Sequence, residues 1–277
     1  MEFGIWYLEF QPYLVSARPG WEGCEMKEKG LGEKEQLFEL LIHDLTGPLS
    51  IAYTSTDNLL HKSGRYGPLT EPQKRVIERS LRNIRKAQAL LHEMIEISRS
   101  EEGIFKKESL EVRRVLKEAL IDALEVSDSQ VAEKLIPVED SEELKNILKT
   151  KKIFIEMIGK YCDAPFCHDL KKVRQILRNL ISNALKYRRE EMRVCIQGDQ
   201  DLFISIEDDG FGIPSDAQEA VFKRFVRLRD KRWGDVPGYG LGLAGVKSLV
   251  EAMGGEITLE SKEGSGTCFK IRVPPLQ

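Results

Sequence analysis

The sequence predicts an α+β chain in two parts, a long helical hairpin followed by a mixed α/β domain. Three observations carry that expectation. Apolar residues recur at helical spacing in two stretches: Phe38, Leu41, Ile42, Leu45, Leu49, Ala52 and Leu59, then Ile77, Leu81, Ile84, Leu91 and Ile95. Beyond Gly103, short strand-like runs alternate with helical ones. The length of 277 residues suits two domains, on a prior of roughly 150 residues each.

Composition narrows the classes. With 31% charged and 41% hydrophobic residues the chain reads as a soluble globular protein able to build a core. A net charge of -3 and no long basic patch give no reason to expect a nucleic-acid partner. No apolar run reaches the length of about 18 residues that a membrane span needs. Residues 1–30 read as an irregular segment. Phe3 to Val15 is aromatic-rich, but Glu9 interrupts it and no basic region precedes it, so it makes a poor secretory leader. A sensor remnant, a partner-binding tail and a cloning-derived tail all remain open. Five scattered cysteines suit a reducing compartment, hence a cytoplasmic protein. Cys162, Cys167 and His168 lie close in sequence but match no zinc spacing and lack a fourth ligand, so the thiols read as buried or idle.

Taken in order, a first helix is expected over Glu33–Lys62 and ends in the breaker Ser63–Pro68. Thr70 reads as the N-cap of a second helix, with Pro72 in its first turn and its end near Arg99. The stripes of such a hairpin cannot both be covered within it. A dimer forming a four-helix bundle is the economical solution, and packing onto the second domain is the alternative. A short strand near Phe105, a helix over Val112–Leu124 and a strand over Ile153–Ile158 follow. The charged stretch Ser127–Lys149 reads as a partly helical elaboration. Asp169 can cap a helix running to about Tyr187. Strands at Arg193–Ile196 and Leu202–Glu207 and a helix at Ala244–Met253 complete the pattern.

Several residues could carry chemistry. His43 lies one residue, about 100° of helical rotation, from Ile42 and so beside the buried seam. Asp44 follows it and could fix the imidazole tautomer. Pro48 has no N–H for the Asp44 carbonyl, which loosens the helix there. An idle surface histidine would look the same. Asn179, Asn183 and Lys186 share one helix face, while Val173, Leu177, Leu180 and Ala184 share another. Carboxamides and an ammonium on one face suit a metal-phosphate ligand, although an ordinary polar face is the plainer reading. Asp208 at a strand end could accept from an exocyclic amine, with Gly210 and Gly212 letting backbone approach a flat base. Gly238, Gly240 and Gly242 open a helix whose amides could meet phosphate. The spacing is neither the dinucleotide fingerprint nor a P-loop.

The order Asn-x3-Asn-x2-Lys-Tyr, Asp-x-Gly-x-Gly, Phe-x2-Phe (Phe222, Phe225), Gly-x-Gly-x-Gly-Leu and Gly264-Ser265-Gly266-Thr267, with the His43 stretch a full domain upstream, resembles the sensor histidine kinases over roughly residues 33–277. That resemblance implies an N-terminal segment at 1–30, a dimerisation and phosphotransfer hairpin at 31–102 and a catalytic ATP-binding domain at 103–277. The last would be a two-layer α/β sandwich of the GHKL type shared with gyrase. By the same likeness Asn183 would bind Mg2+ with Asn179 assisting, and Lys186 and Tyr187 would line the ATP site. Asp208 would read the adenine amine beside Gly210 and Gly212, with Thr267 near it. Gly238, Gly240, Leu241 and Gly242 would border the phosphates. Residues 214–237 would form a lid held partly by Phe222 and Phe225. Its basic residues could touch phosphate or simply be solvated.

The implied activity is autophosphorylation of His43 from Mg-ATP and transfer of the phosphoryl group to an aspartate on a response-regulator receiver domain, in a homodimer. Asn179 stands where the related ATPases carry a glutamate base, which favours kinase over ATPase chemistry. Gly47 stands where the family commonly has Thr or Asn before the helix proline, so the usual phosphatase route is put in doubt. Two alternatives are a degenerate kinase acting as an ATP-binding dimeric scaffold, and an ATP-driven clamp like gyrase.

Overall fold

A computed structural model describes residues 29–101, 105–227 and 240–276 of the chain, with the side chains of 29–43 and of most of the end of the second long helix outside that description. The expectations for residues 1–28, for the boundary at Gly103 and for Gly238 therefore lie outside the described residues.

Helix α1 spans Lys29–His61 and contains Pro48. A single turn, α2 (Ser63–Tyr66), and Gly67 at φ 83° lead to α3, Glu71–Glu101. The expected breaker is thus itself partly helical. Thr70 does stand before the first residue of α3, but the Gln73 side chain does the capping: its Oε1 accepts the Thr70 N–H and hydroxyl, each at 2.9 Å. Helix α3 packs against α1, with Arg85 donating to the Tyr53 hydroxyl at 3.1 Å. It also packs against α8 (Gly242–Ala252) of the second part.

The strand expected near Phe105 forms three residues later, as β1 (Glu108–Leu110), paired antiparallel with β3 (Phe166–His168). Phe105 instead sets its ring edge-on to His168, centroids 5.6 Å apart. Helix α4 covers Val112–Ser127. The charged elaboration resolves into α5 (Ser129–Leu135) and α6 (Ser141–Lys149), each opened by an aspartate, Asp128 or Asp140, that accepts a backbone N–H. Asp169 likewise accepts the Lys172 N–H and starts α7, Leu170–Tyr187.

A five-stranded sheet runs in the order β2-β4-β5-β7-β6, from β2 (Ile153–Gly159), β4 (Met192–Gly198), β5 (Leu202–Asp208), β7 (Gly266–Val273) and β6 (Glu256–Lys262). Only β2 and β4 run parallel; the other pairs are antiparallel. On β4 and β5 every second residue is buried, so one face of the sheet is covered and the other is solvated. The cover is α4, α7 and α8 (Gly242–Ala252), which bury Leu116, Leu120, Leu177, Leu180, Val246 and Val250 against Val194, Ile204, Ile206 and Ile271. Two layers share one core. Among the described residues no helix is long and apolar enough to cross a membrane.

Candidate functional site

The C-terminal end of α7, the loop after β5 and the start of α8 come together with β7 at one end of the sheet. A cleft opens there, lined by Asn183 and Tyr187 of α7, Asp208 of β5, Gly212, Gly240, Gly242 of α8 and Thr267 of β7. It measures about 840 Å³ with its open mouth and the solvent space there included. Phe211, Ile213, Val221, Leu243 and Phe269 supply apolar walls, and Arg227 adds a cation.

Strand alternation and the following turn decide which acid faces inward. Asp208 is 6% exposed, accepts the Gly210 N–H on Oδ1 at 2.9 Å, and is pushed up to about 6 by burial. Asp209, its neighbour, turns outward and accepts the Arg189 and Glu190 N–H groups at 2.9 and 3.0 Å, which holds the turn after α7. Directly across the ladder from Asp208 stands Thr267, also buried, whose hydroxyl lies 3.0 Å from Ser261 of β6. Burial also pushes the Tyr187 phenol up, against the opposing influence of Arg227.

Two glycines are demanded by close approach. A Cβ on Gly212 (φ +69°) would sit 2.0 Å from the Lys262 carbonyl, and one on Gly266 (φ +101°) would sit 2.0 Å from the Asp208 carbonyl. Between them they seat the loop after β5 against the β6–β7 hairpin. Helix α8 begins at the cleft with no side-chain cap, and Gly242 and Leu243 of its first turn line it, which brings the positive end of the helix dipole there. The cleft therefore offers acceptors beside a flat apolar slot, and donors suited to an anion.

Of the residues singled out from sequence, Asn183, Tyr187, Asp208, Gly212, Gly240, Gly242 and Thr267 line this one cleft. Asn179, Lys186, Gly210 and Leu241 do not line it. Lys186 is exposed on α7, Asn179 is half-buried one turn earlier, Leu241 is buried at the N-cap of α8, and Gly210 lies behind Asp208 against the Tyr187 carbonyl. Phe222 packs edge-on against Phe269 with Lys247 over its ring, whereas Phe225 is 55% exposed and its N–H donates to the Gly240 carbonyl at 2.9 Å. His43 lies on α1, but its side chain is outside those described. The sequence reading missed the brace residues Ser261 and Gln218. The alternation of Ile257, Leu259 and Ser261 was the pattern that could have revealed β6.

Residues 168–277 match the family described as histidine kinase-, DNA gyrase B- and HSP90-like ATPase. Over 247 residues the chain is 30% identical to the circadian input-output histidine kinase CikA of Synechococcus elongatus, a match covering 87% of this chain and 30% of CikA. The chain is a relative of the sensor histidine kinases and carries their ATPase domain. It is also 28% identical over 260 residues to the adaptive-response sensory kinase SasA of Synechococcus sp. (strain JA-3-3Ab), covering 91% of this chain and 62% of SasA. Against sensor histidine kinase WalK of Bacillus subtilis the identity reaches 43% over 111 residues, 38% of this chain and 18% of WalK. This chain thus spans less than two thirds of each of these kinases. Full-length ShkA, solved in complex with AMPPNP, shares the fold at a TM-score of 0.61 and 21% identity, covering 88% of this chain and 46% of that one.

Proposed function

We propose that this chain is an ATP-dependent protein-histidine kinase that phosphorylates its own His43 and passes the phosphoryl group to an aspartate of a response-regulator receiver domain. The observation that carries the reading is the buried acceptor pair, Asp208 and Thr267, in the same cleft as the uncapped start of α8. Such a cleft fits an adenine amine at one place and phosphates at another. Asn183 lines the cleft, and its carboxamide oxygen is a ligand type that Mg2+ accepts. With Asn179 it would hold the ion, which neutralises phosphate charge when bound. Gly240 and Gly242, with Gly238 and Leu241, would border the phosphates, and Lys186 and Tyr187 would flank the nucleotide.

In the reaction, His43 Nε2 attacks the γ-phosphorus, the N–P bond forms as the bond to the β-phosphate oxygen breaks, and ADP leaves. Asp44 would keep the proton on Nδ1. Positioning and charge neutralisation would supply most of the catalysis. The absence of a glutamate at Asn179 leaves water without a base and favours transfer to histidine. We further propose the division at residues 31–102 and 103–277, a homodimer through the hairpin, and work in the reducing cytoplasm. The exposed apolar residues Leu45, Ile51, Leu59 and Val76 on α1 and α3 support the dimer.

The test is incubation with γ-labelled ATP, followed by a panel of receiver domains. An acid-labile label on the wild type, absent from His43→Gln and chased onto a receiver, is the expected result. ATP binding with no label on the protein would leave the scaffold reading standing. Rapid phosphate release without labelled protein would point to the clamp.

A further inference from the structure

Ser261 stands opposite Thr267 in the β6–β7 ladder, and its Oγ meets three groups: the Ile213 N–H at 2.8 Å, the Gly266 carbonyl at 2.8 Å and the Thr267 hydroxyl at 3.0 Å. A hydroxyl has one proton and two lone pairs. The Gly266 carbonyl can only accept, so the Ser261 proton goes there. The Ile213 N–H can only donate, and fills one lone pair. One consistent role is left for the third contact, with Thr267 donating and Ser261 accepting. The proton of Thr267 is therefore committed away from the cleft, and Thr267 shows the cleft only lone pairs.

Asp208, across the ladder on the other side of Thr267, is an acceptor when ionised, with Oδ1 already taking the Gly210 N–H. A ligand group entering between Asp208 and Thr267 meets acceptors alone, so it must donate. A 6-amino purine edge satisfies that condition. A 6-oxo group in the same place brings lone pairs against lone pairs. Gln218 steadies the arrangement: its Nε2 donates to the Ile213 carbonyl at 3.1 Å and the Ser261 carbonyl at 2.9 Å, tying together the two segments whose distance fixes the proton.

We infer that Ser261 is a specificity-determining positioning residue, which makes the cleft select 6-amino over 6-oxo purine nucleotides by holding the Thr267 hydroxyl proton. This rests on the nucleotide reading proposed above and deepens it. Without the serine hydroxyl, Thr267 is free to rotate and donate into the cleft, where a carbonyl edge can use it.

The experiment is calorimetric binding of Mg-ATP and Mg-GTP to the full chain at pH 8, where Asp208 is ionised. Ser261→Ala should narrow the ATP-to-GTP preference on the order of tenfold, the size of one good hydrogen bond, mainly by improving GTP. Ser261→Thr, which keeps the hydroxyl, should hold the wild-type ratio. If the alanine variant does not fold, Ser261→Cys, with its weak donor and acceptor, carries the test and should narrow the ratio less. The inference is overturned if Ser261→Ala weakens both nucleotides alike, since a brace with no part in selection would do that, or if Ser261→Thr behaves like the alanine variant. A wild type that binds neither nucleotide overturns the nucleotide reading itself. A wild type that prefers ATP while the variants keep its ratio overturns only the role of Ser261.

Discussion

Asp208 and Thr267 face each other across the β5–β7 ladder, an acid and a hydroxyl both buried at the head of the cleft. Burial pushes the Asp208 carboxyl up to about 6 from its ordinary 3.8. Between those values the native state binds more protons than the unfolded chain. The nucleotide-free protein should therefore lose stability as pH rises from about 4 to about 6, with no further change from this group above that. A nucleotide amine that donates to the carboxylate draws the proton off. Binding near pH 6 should release protons and binding at pH 8 should not, which calorimetry in buffers of differing ionisation enthalpy reads directly.

Asp208→Asn keeps the shape and removes the charge. The exocyclic amine then loses a hydrogen bond to a charged group, worth about 1.5–3 kcal/mol. ATP affinity should fall roughly 10- to 150-fold, while the pH-dependent loss of stability between about 4 and 6 disappears. Fluorescence or calorimetric titration and a melting series over pH check both. An unchanged affinity would mean the acid does not read the base.

What the sequence shows depends on how local the cause is. The helix carrying Asn183 was legible because its start is set by Asp169 three residues from the N–H it caps, and its buried face by Val173, Leu177, Leu180 and Ala184 at helical spacing. Asp208, Gly212, Gly240, Gly242 and Thr267 were legible as motifs, and the fold brings them to one cleft with Asn183. The Ser261 brace was hidden, because it exists only once β6 pairs with β7 and the loop after β5 folds onto both. The first short strand, expected near Phe105, has its exact place hidden for the same reason. Its partner is the three-residue Phe166–His168, and pairing rather than propensity puts the strand at Glu108. Phe225 resembles Phe222 in sequence, but only Phe222 reaches the Phe269 ring.

Two glycines should respond oppositely to alanine. At Gly266 the backbone sits at φ +101° and a Cβ would come 2.0 Å from the Asp208 carbonyl, so the strand pair must move. Gly266→Ala should destabilise by about 1–3 kcal/mol, the worth of a strained backbone position, and weaken nucleotide binding by shifting Asp208. Gly47 lies inside α1 with nothing within 4 Å of a built Cβ. Gly47→Ala should stabilise the helix by about 0.5–1 kcal/mol. Paired denaturant melts test both signs in one series.

His168 supplies the counterpart to Asp208 at acid pH. It is fully buried, its Nδ1 accepts the Asp169 N–H at 2.8 Å, and among the described residues its Nε2 has no hydrogen-bond partner. The ring is therefore neutral, with its proton on Nε2. Burial lowers its basicity below the ordinary 6.5, against the opposing pull of the Asp169 carboxylate. Below 6.5 the unfolded chain binds a proton that the native state refuses, so this residue makes stability fall as pH drops, by at most about 1.4 kcal/mol per pH unit. The Asp208 effect runs the other way in an overlapping window, so the two must be separated. In an Asp208→Asn background, stability should decline steadily from pH 6.5 to pH 5. Adding His168→Phe leaves the Asp169 N–H without its acceptor and should cost about 1–3 kcal/mol at pH 8, yet flatten that decline. A slope that survives the second substitution would assign the acid sensitivity to other groups.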